Sequence, residues 1–143
     1  YRPVARALKE AIAAVDAILF VTPEYNRSIP GALKNAIDWG SRPYGQNSFS
    51  RKPSAVIGTS PGKIGTAVGQ QHLRSILSFC NSPQMNSPEA YIQFEPGLIT
   101  DDGIVTNAST ACVRASIPLS AVTFRGQLNV IRGSTNPSRG RMK

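Results

Sequence analysis

"AILFVTPEYNRSIPGALKNAIDWG", residues 17–40, holds a complete structural transition within one short stretch. Ala17 to Val21 is a run of five apolar residues without alternation, the pattern of a strand buried on both faces and therefore of a parallel sheet. Proline, an acid, a tyrosine and an asparagine then end the strand at Pro23 to Asn26. A helix is predicted almost at once: Ser28 is an N-cap candidate, Pro30 suits a first turn, Leu33, Ala36 and Ile37 form an apolar stripe, and Gly40 supplies a stop.

The neighbouring segments repeat this strand-to-helix rhythm. Upstream, Pro3 to Val15 places Val4, Leu8, Ile12 and Val15 at helical spacing. Downstream, "SAVIG" (Ser54 to Gly58) reads as a second short buried strand and "AYIQF" (Ala90 to Phe94) as a third. Between them, Gly69 to Cys80 carries Leu73, Ile76, Leu77 and Cys80 on one side of a helix. Alternating helices and strands with right-handed crossovers predict an α/β, doubly wound parallel sheet. In such sheets ligands bind beyond the carboxyl ends of the strands. Two loops leave that edge, Thr22 to Ile29 and "GTSPGKIGT" (Gly58 to Thr66), and they are expected to lie side by side before helices whose free N–H groups and dipoles favour electron-rich atoms. Gly58, Gly62 and Gly65 would let backbone approach a flat ligand closely. Nucleotide motifs fail: three residues, not four, separate Gly58 from Gly62, and Gly62, Gly65 and Gly69 do not form G-x-G-x-x-G.

Composition bounds the function classes. At 143 residues and 41 % hydrophobic content the chain has the size of one domain with a real core. Cys80 and Cys112 form no C-x-x-C, and His72 is the single histidine, so no metal site is expected. No run approaches the roughly 18 apolar residues of a membrane span, and no charged-then-apolar leader opens the sequence, so the expectation is a cytoplasmic protein without a membrane partner. The net charge of +8 is uneven: residues 1–102 hold ten Lys/Arg against eight Asp/Glu, whereas residues 103–143 hold six Lys/Arg and no acid. The basic end lacks interleaved aromatics or a nucleic-acid fold, and the expectation is a solvated tail rather than a nucleic-acid surface.

The block Pro23 to Trp39, followed by a strand and then by "TSPGKIGT" (Thr59 to Thr66) and "QHLRSIL" (Gln71 to Leu77), resembles the NADPH-dependent FMN reductase family, flavodoxin-like reductases of quinones, azo dyes and chromate. The likeness runs from about Pro3 to Thr110. It implies a flavodoxin-like fold, FMN as cofactor and NADPH or NADH as electron donor. It further implies a small quinone-like electron acceptor and, in complete members, a homo-oligomer. By resemblance the flavin ring lies along Pro23, Glu24, Tyr25 and Asn26, largely through backbone groups, and is bordered by Ser60, Pro61 and Gly62. No catalytic side chain is expected, because the flavin carries the electron chemistry and the protein orients two rings.

Relative to the family pattern the chain starts in the helix before the third strand, so the sheet is expected to be incomplete, without its first two strands and the loop that grips the FMN phosphate. Losing them would expose an edge of the strand at Ala17 to Val21. Residues 1–110 are read as a partial reductase domain and 111–143 as an atypical, basic, disordered tail that begins where "TNAST" looks like the start of the family's closing helix. The alternative to a reductase is a non-catalytic flavodoxin-like remnant or interaction module. Individual residues keep two readings. Tyr25 either faces the ligand or caps strand ends, and Glu24 is open between structural and ligand roles. Lys34 and Asp38, at i and i+4, suit a weak surface pair and equally a ligand or subunit contact. Trp39 suits packing at a helix end, His72 a helix surface or an interface, and Cys80 a buried thiol. Arg74 would meet an NADPH phosphate if its helix faces the cleft.

Overall fold

In a computed structural model, which describes residues 3–111 and the backbone of 128–131, the elements run α1 (Pro3–Ala13), β1 (Ala17–Val21), α2 (Gly31–Gly40), β2 (Ser54–Ser60), α3 (Ala67–Phe79), β3 (Tyr91–Gln93) and β4 (Leu128–Ile131). The sheet order is β3-β2-β1-β4. β1 pairs with β2, and β2 with β3, in parallel, with Val21 opposite Ile57 and Ser60 opposite Gln93. This is the parallel arrangement expected from the unbroken apolar runs, and Ile18, Leu19 and Phe20 are indeed all buried.

Alternation along β1 and β2 turns Ile18, Phe20 and Val56 toward one face. There they form a single cluster with Ile12 of α1, Leu33 and Ile37 of α2, and Leu73 and Leu77 of α3. Those three helices therefore cover one face of the sheet. Leu19 points to the opposite face and is also buried. Among the described residues no helix is long and apolar enough to cross a membrane.

Several sequence expectations change in detail. Val4 does not continue the apolar stripe of α1: it is 81 % exposed, and the buried residues of the helix are Ala5 and Ile12. Ser28 is not the N-cap of α2. Pro30 holds that position without a side-chain cap, and its carbonyl accepts from Lys34 N at 3.1 Å. Phe49, on the connection after α2, is a core residue that no periodicity marks. Its ring lies 6.3 Å from that of Phe20, and a Cβ at Gly40 would sit 2.8 Å from it. The Asn47 side chain secures this connection by accepting from Phe49 N at 2.9 Å and donating to Cys80 O at 2.8 Å.

The edge of β1 is not open. β4 pairs with it antiparallel, with Ala17 opposite Ile131 and Phe20 opposite Leu128. Four residues of the stretch read as an unpatterned tail thus form a strand, for the reason that made the bare edge a hazard: its N–H and C=O groups need partners. The rest of that stretch, 112–127 and 132–143, lies outside the described residues. At its start Asn107 Oδ1 accepts from Ser109 N at 2.9 Å and caps the short helical segment 108–111, where the closing helix was expected to begin.

Two loops converge because Gly58, in the last half of β2, has no side chain. A Cβ at Gly58 would lie 2.2 Å from the Thr22 carbonyl oxygen and 2.6 Å from Thr66 Oγ1. The nearer obstacle is backbone and cannot rotate away, so Gly58→Ala is expected to cost about 3 kcal/mol, the upper end of overpacking penalties. Urea unfolding at unchanged slope measures it, and a cost below about 1 kcal/mol would mean the strand ends separate freely. Removing residues 128–143 should leave the fold in place but shift the chain toward larger species in sedimentation velocity, relative to the full chain. A truncated chain that sediments like the full one would show that β4 does not protect the β1 edge.

Candidate functional site

The turn after β1 is a two-residue hairpin. Tyr25 and Ser28 exchange both backbone hydrogen bonds, at 2.8 and 2.9 Å, around Asn26 at φ 51° and Arg27 at φ 63°. Asparagine tolerates the left-handed region, whereas arginine is uncommon there, so this turn is not held by its own propensities. Its polar groups are engaged behind it. Glu24 Oε2 accepts from Gly69 N in the first turn of α3 at 2.8 Å, and Ser28 Oγ lies 3.0 Å from His72 Nδ1 one helical turn later. Tyr25 is left 58 % exposed on the outer side, beside exposed Asn26.

The loop after β2 is also held from within. Ser60 Oγ donates to Gly65 O at 2.7 Å and accepts from Gly62 N at 3.2 Å, while Gly65 N donates to Gly62 O at 2.9 Å. Gln93 Nε2 donates to Pro61 O at 3.3 Å, tying the loop to β3. Gly65 takes φ 57° and packs so closely on β3 that a Cβ would meet Ile92 N at 2.8 Å. Pro61 and Gly62 are exposed and Ser60 is half-buried.

Thr22 N donates to Ile57 O at 3.0 Å, so both loops leave the same sheet edge side by side. Pro23, Glu24, Tyr25 and Asn26 stand in one loop, and Ser60, Pro61 and Gly62 in the next. The structure brings the seven sequence-predicted positions to one region, with Glu24 turned inward onto α3 rather than outward. That contact revises one expectation: the N-terminus of α3 is not wholly free for a ligand, since the chain's own carboxylate uses Gly69 N. Sequence reasoning missed Gly69 as a partner, although a glycine in the first turn of a helix is a signal for close backbone approach.

The remaining candidates fall elsewhere. Arg74 Nη1 donates to Met85 O at 3.1 Å, which commits it to the segment after α3. Lys34 Nζ donates to both Asp38 carboxylate oxygens at 2.8 Å, an exposed pair worth about 0.3–0.5 kcal/mol. The Tyr91 hydroxyl donates to Glu89 at 2.7 Å and accepts from Gln71 at 3.1 Å, and burial with the Glu89 bond raises its pKa. Among the described residues no group of three His, Cys, Asp or Glu side chains could hold a metal ion. A cavity of about 730 Å³ lies between the end of α2 and α3, lined in part by Arg42, Tyr44, Phe79 and Cys80, and shares no residue with the two loops.

A profile of the NADPH-dependent FMN reductase family matches residues 1–97. The chain belongs to that family. It is 51 % identical over 107 residues to a 2-hydroxy-1,4-benzoquinone reductase of Burkholderia sp, covering 75 % of this chain and 58 % of the relative. It is 46 % identical over 112 residues to a quinone reductase of Pseudomonas putida, covering 78 % and 60 %. Among solved structures, the NAD(P)H:(acceptor) oxidoreductase FerB of Paracoccus denitrificans, a flavoenzyme, superposes with a TM-score of 0.75 at 51 % identity, over 78 % of this chain and 62 % of that one. The chain thus spans about three fifths of the length of these relatives. The flavodoxin-like fold expected from the sequence is the fold observed.

Cys80 tests the packing at the far end of α2 and α3. Burial pushes its thiol up, aided by the Asp38 carboxylate and opposed by Lys34 and by the Asn47 side chain. With the thiolate disfavoured and the residue 5 % exposed, alkylation of Cys80 in a Cys112→Ser background should be at least about tenfold slower in the folded chain than in urea. Equal rates would show that the α2–α3 end opens readily.

Proposed function

We propose that this chain forms part of a flavin-dependent NAD(P)H oxidoreductase that passes electrons through FMN to a small quinone-like acceptor. The observation that carries the reading is the convergence of the 23–26 turn and the 60–62 loop at the carboxyl edge of a parallel sheet, in a chain of the FMN reductase family. The residues fit a flat ring. The 60–65 loop is held by its own hydrogen bonds and the 23–28 turn by α3, glycine at position 62 removes side-chain bulk, and Tyr25 offers an exposed aromatic surface beside them.

Pro23, Tyr25 and Asn26 would hold one side of the isoalloxazine through their backbone and the tyrosine ring, and Ser60, Pro61 and Gly62 would border it. When bound, FMN supplies the transfer of reducing equivalents between a nicotinamide and a quinone. The task left to these residues is to orient the rings and limit water at their contact. A reduced nicotinamide as donor carries with it a cytoplasmic setting. The relatives named for quinone reduction support a quinone as acceptor.

Saturable quenching of flavin fluorescence on titration with the chain tests the reading. Tyr25→Ala should weaken binding about two- to twelvefold, as ~0.5–1.5 kcal/mol of aromatic stacking implies. NADPH-driven bleaching of bound flavin, followed by reoxidation with 1,4-benzoquinone under anaerobic conditions, then tests donor and acceptor. Absence of saturable binding to either FMN or riboflavin would overturn the proposal.

A further inference from the structure

The side chain of Glu24 is 8 % exposed. A carboxylate so nearly buried is tolerated when it is hydrogen-bonded and its charge is met by a field of opposite sign. Its ion-pair partner among the described residues, Arg27, lies 3.7 Å away on a side chain that is 68 % exposed, too solvated to supply most of that compensation. The stronger partner is α3: Gly69 N donates to Glu24 Oε2 at 2.8 Å from the first helical turn, where the helix dipole favours negative charge.

The fit around this bond is close. A Cβ at position 69 would stand 3.2 Å from Ser28 O and 3.3 Å from Glu24 Cγ, so the turn rests directly on the helix. Ser28 Oγ and His72 Nδ1, at 3.0 Å, give a second contact on the same helix three residues on. The hairpin holds Arg27 in a left-handed conformation that its side chain does not favour, and therefore needs an external anchor. The 60–66 loop, meanwhile, runs straight into α3 through Thr66. The first turn of α3 is thus common ground for both loops.

We propose that Glu24 is a positioning residue: its carboxylate clips the 23–28 turn to α3 and so sets the spacing between that turn and the 60–66 loop. For its consequence in flavin binding the inference rests on the function proposed above. With its charge spent on the helix, Glu24 lets the turn approach an electron-rich ring without presenting a bare anion to it.

Amide hydrogen exchange on the full chain, followed by NMR, reads the clip without any ligand. Glu24→Ala should speed exchange at Gly69, Tyr25 and Ser28 by about tenfold or more relative to Leu77 in the distal half of α3. Glu24→Gln keeps an acceptor oxygen and should stay within about threefold of the parent. If Glu24→Ala does not fold, Glu24→Asp, one methylene shorter, takes its place with the same expectation. In flavin titrations of the same samples, the alanine or aspartate variant should bind at least about fivefold more weakly and the glutamine variant like the parent. Unchanged exchange at Tyr25 and Ser28 would overturn the clip. Loss of flavin binding in the glutamine variant equal to that in the alanine variant would overturn the positioning role, since the charge itself would then be the ligand contact. A parent chain that binds no flavin would sink the functional reading, and the exchange rates would still decide whether Glu24 holds the turn.

Discussion

The missing side chain at Gly58 is the constraint on which the rest of this site depends. At that point β2 passes so close to the end of β1 that the Thr22 carbonyl occupies the place of a Cβ, with the hydroxyl of Thr66 on its other side. Three segments therefore meet at one backbone position: the residue after β1, the last half of β2 and the residue that caps α3. The parallel register of Val21 with Ile57 follows the same approach. A bulkier residue would force the strand ends apart and carry both loops with them.

From that meeting point the site is assembled by internal satisfaction. Ser60 bonds within its own loop, Glu24 bonds to the helix behind its turn, and Ser28 meets His72. The polar side chains that look most like chemistry in the sequence are largely spent on shape. Pro61 and Gly62 of one loop and Tyr25 and Asn26 of the other stay exposed, a surface suited to orienting a flat partner. This division agrees with membership of the FMN reductase family, in which a cofactor supplies the reactive atoms and the protein supplies placement.

The sheet edge obeys an equally simple rule. β1 is the most apolar strand, buried on both faces, and its free edge would present unpaired N–H and C=O groups on a chain already prone to pair. β4 meets that demand from a distant part of the sequence and in the opposite direction to the other strands. The hydrogen-bonding requirement of a backbone is indifferent to the family pattern of the residues that fulfil it.

Most of the fold could be read from the sequence, because burial leaves a local pattern. The unbroken run Ala17 to Val21 and the stripes on α2 and α3 follow from the hydrophobic effect acting on neighbouring residues. The gathering of Pro23 to Asn26 with Ser60 to Gly62 followed from the rule for parallel sheet edges. Tertiary structure alone decided that Val4 is exposed, that Phe49 enters the core from an irregular connection, and that Pro30 rather than Ser28 opens α2. It also decided the role of Glu24, whose partner lies 45 residues away. Helical and strand periodicities record which side of a segment faces the core, whereas a hydrogen bond or a backbone contact across such a separation depends on where two segments meet in space and leaves no spacing in the chain.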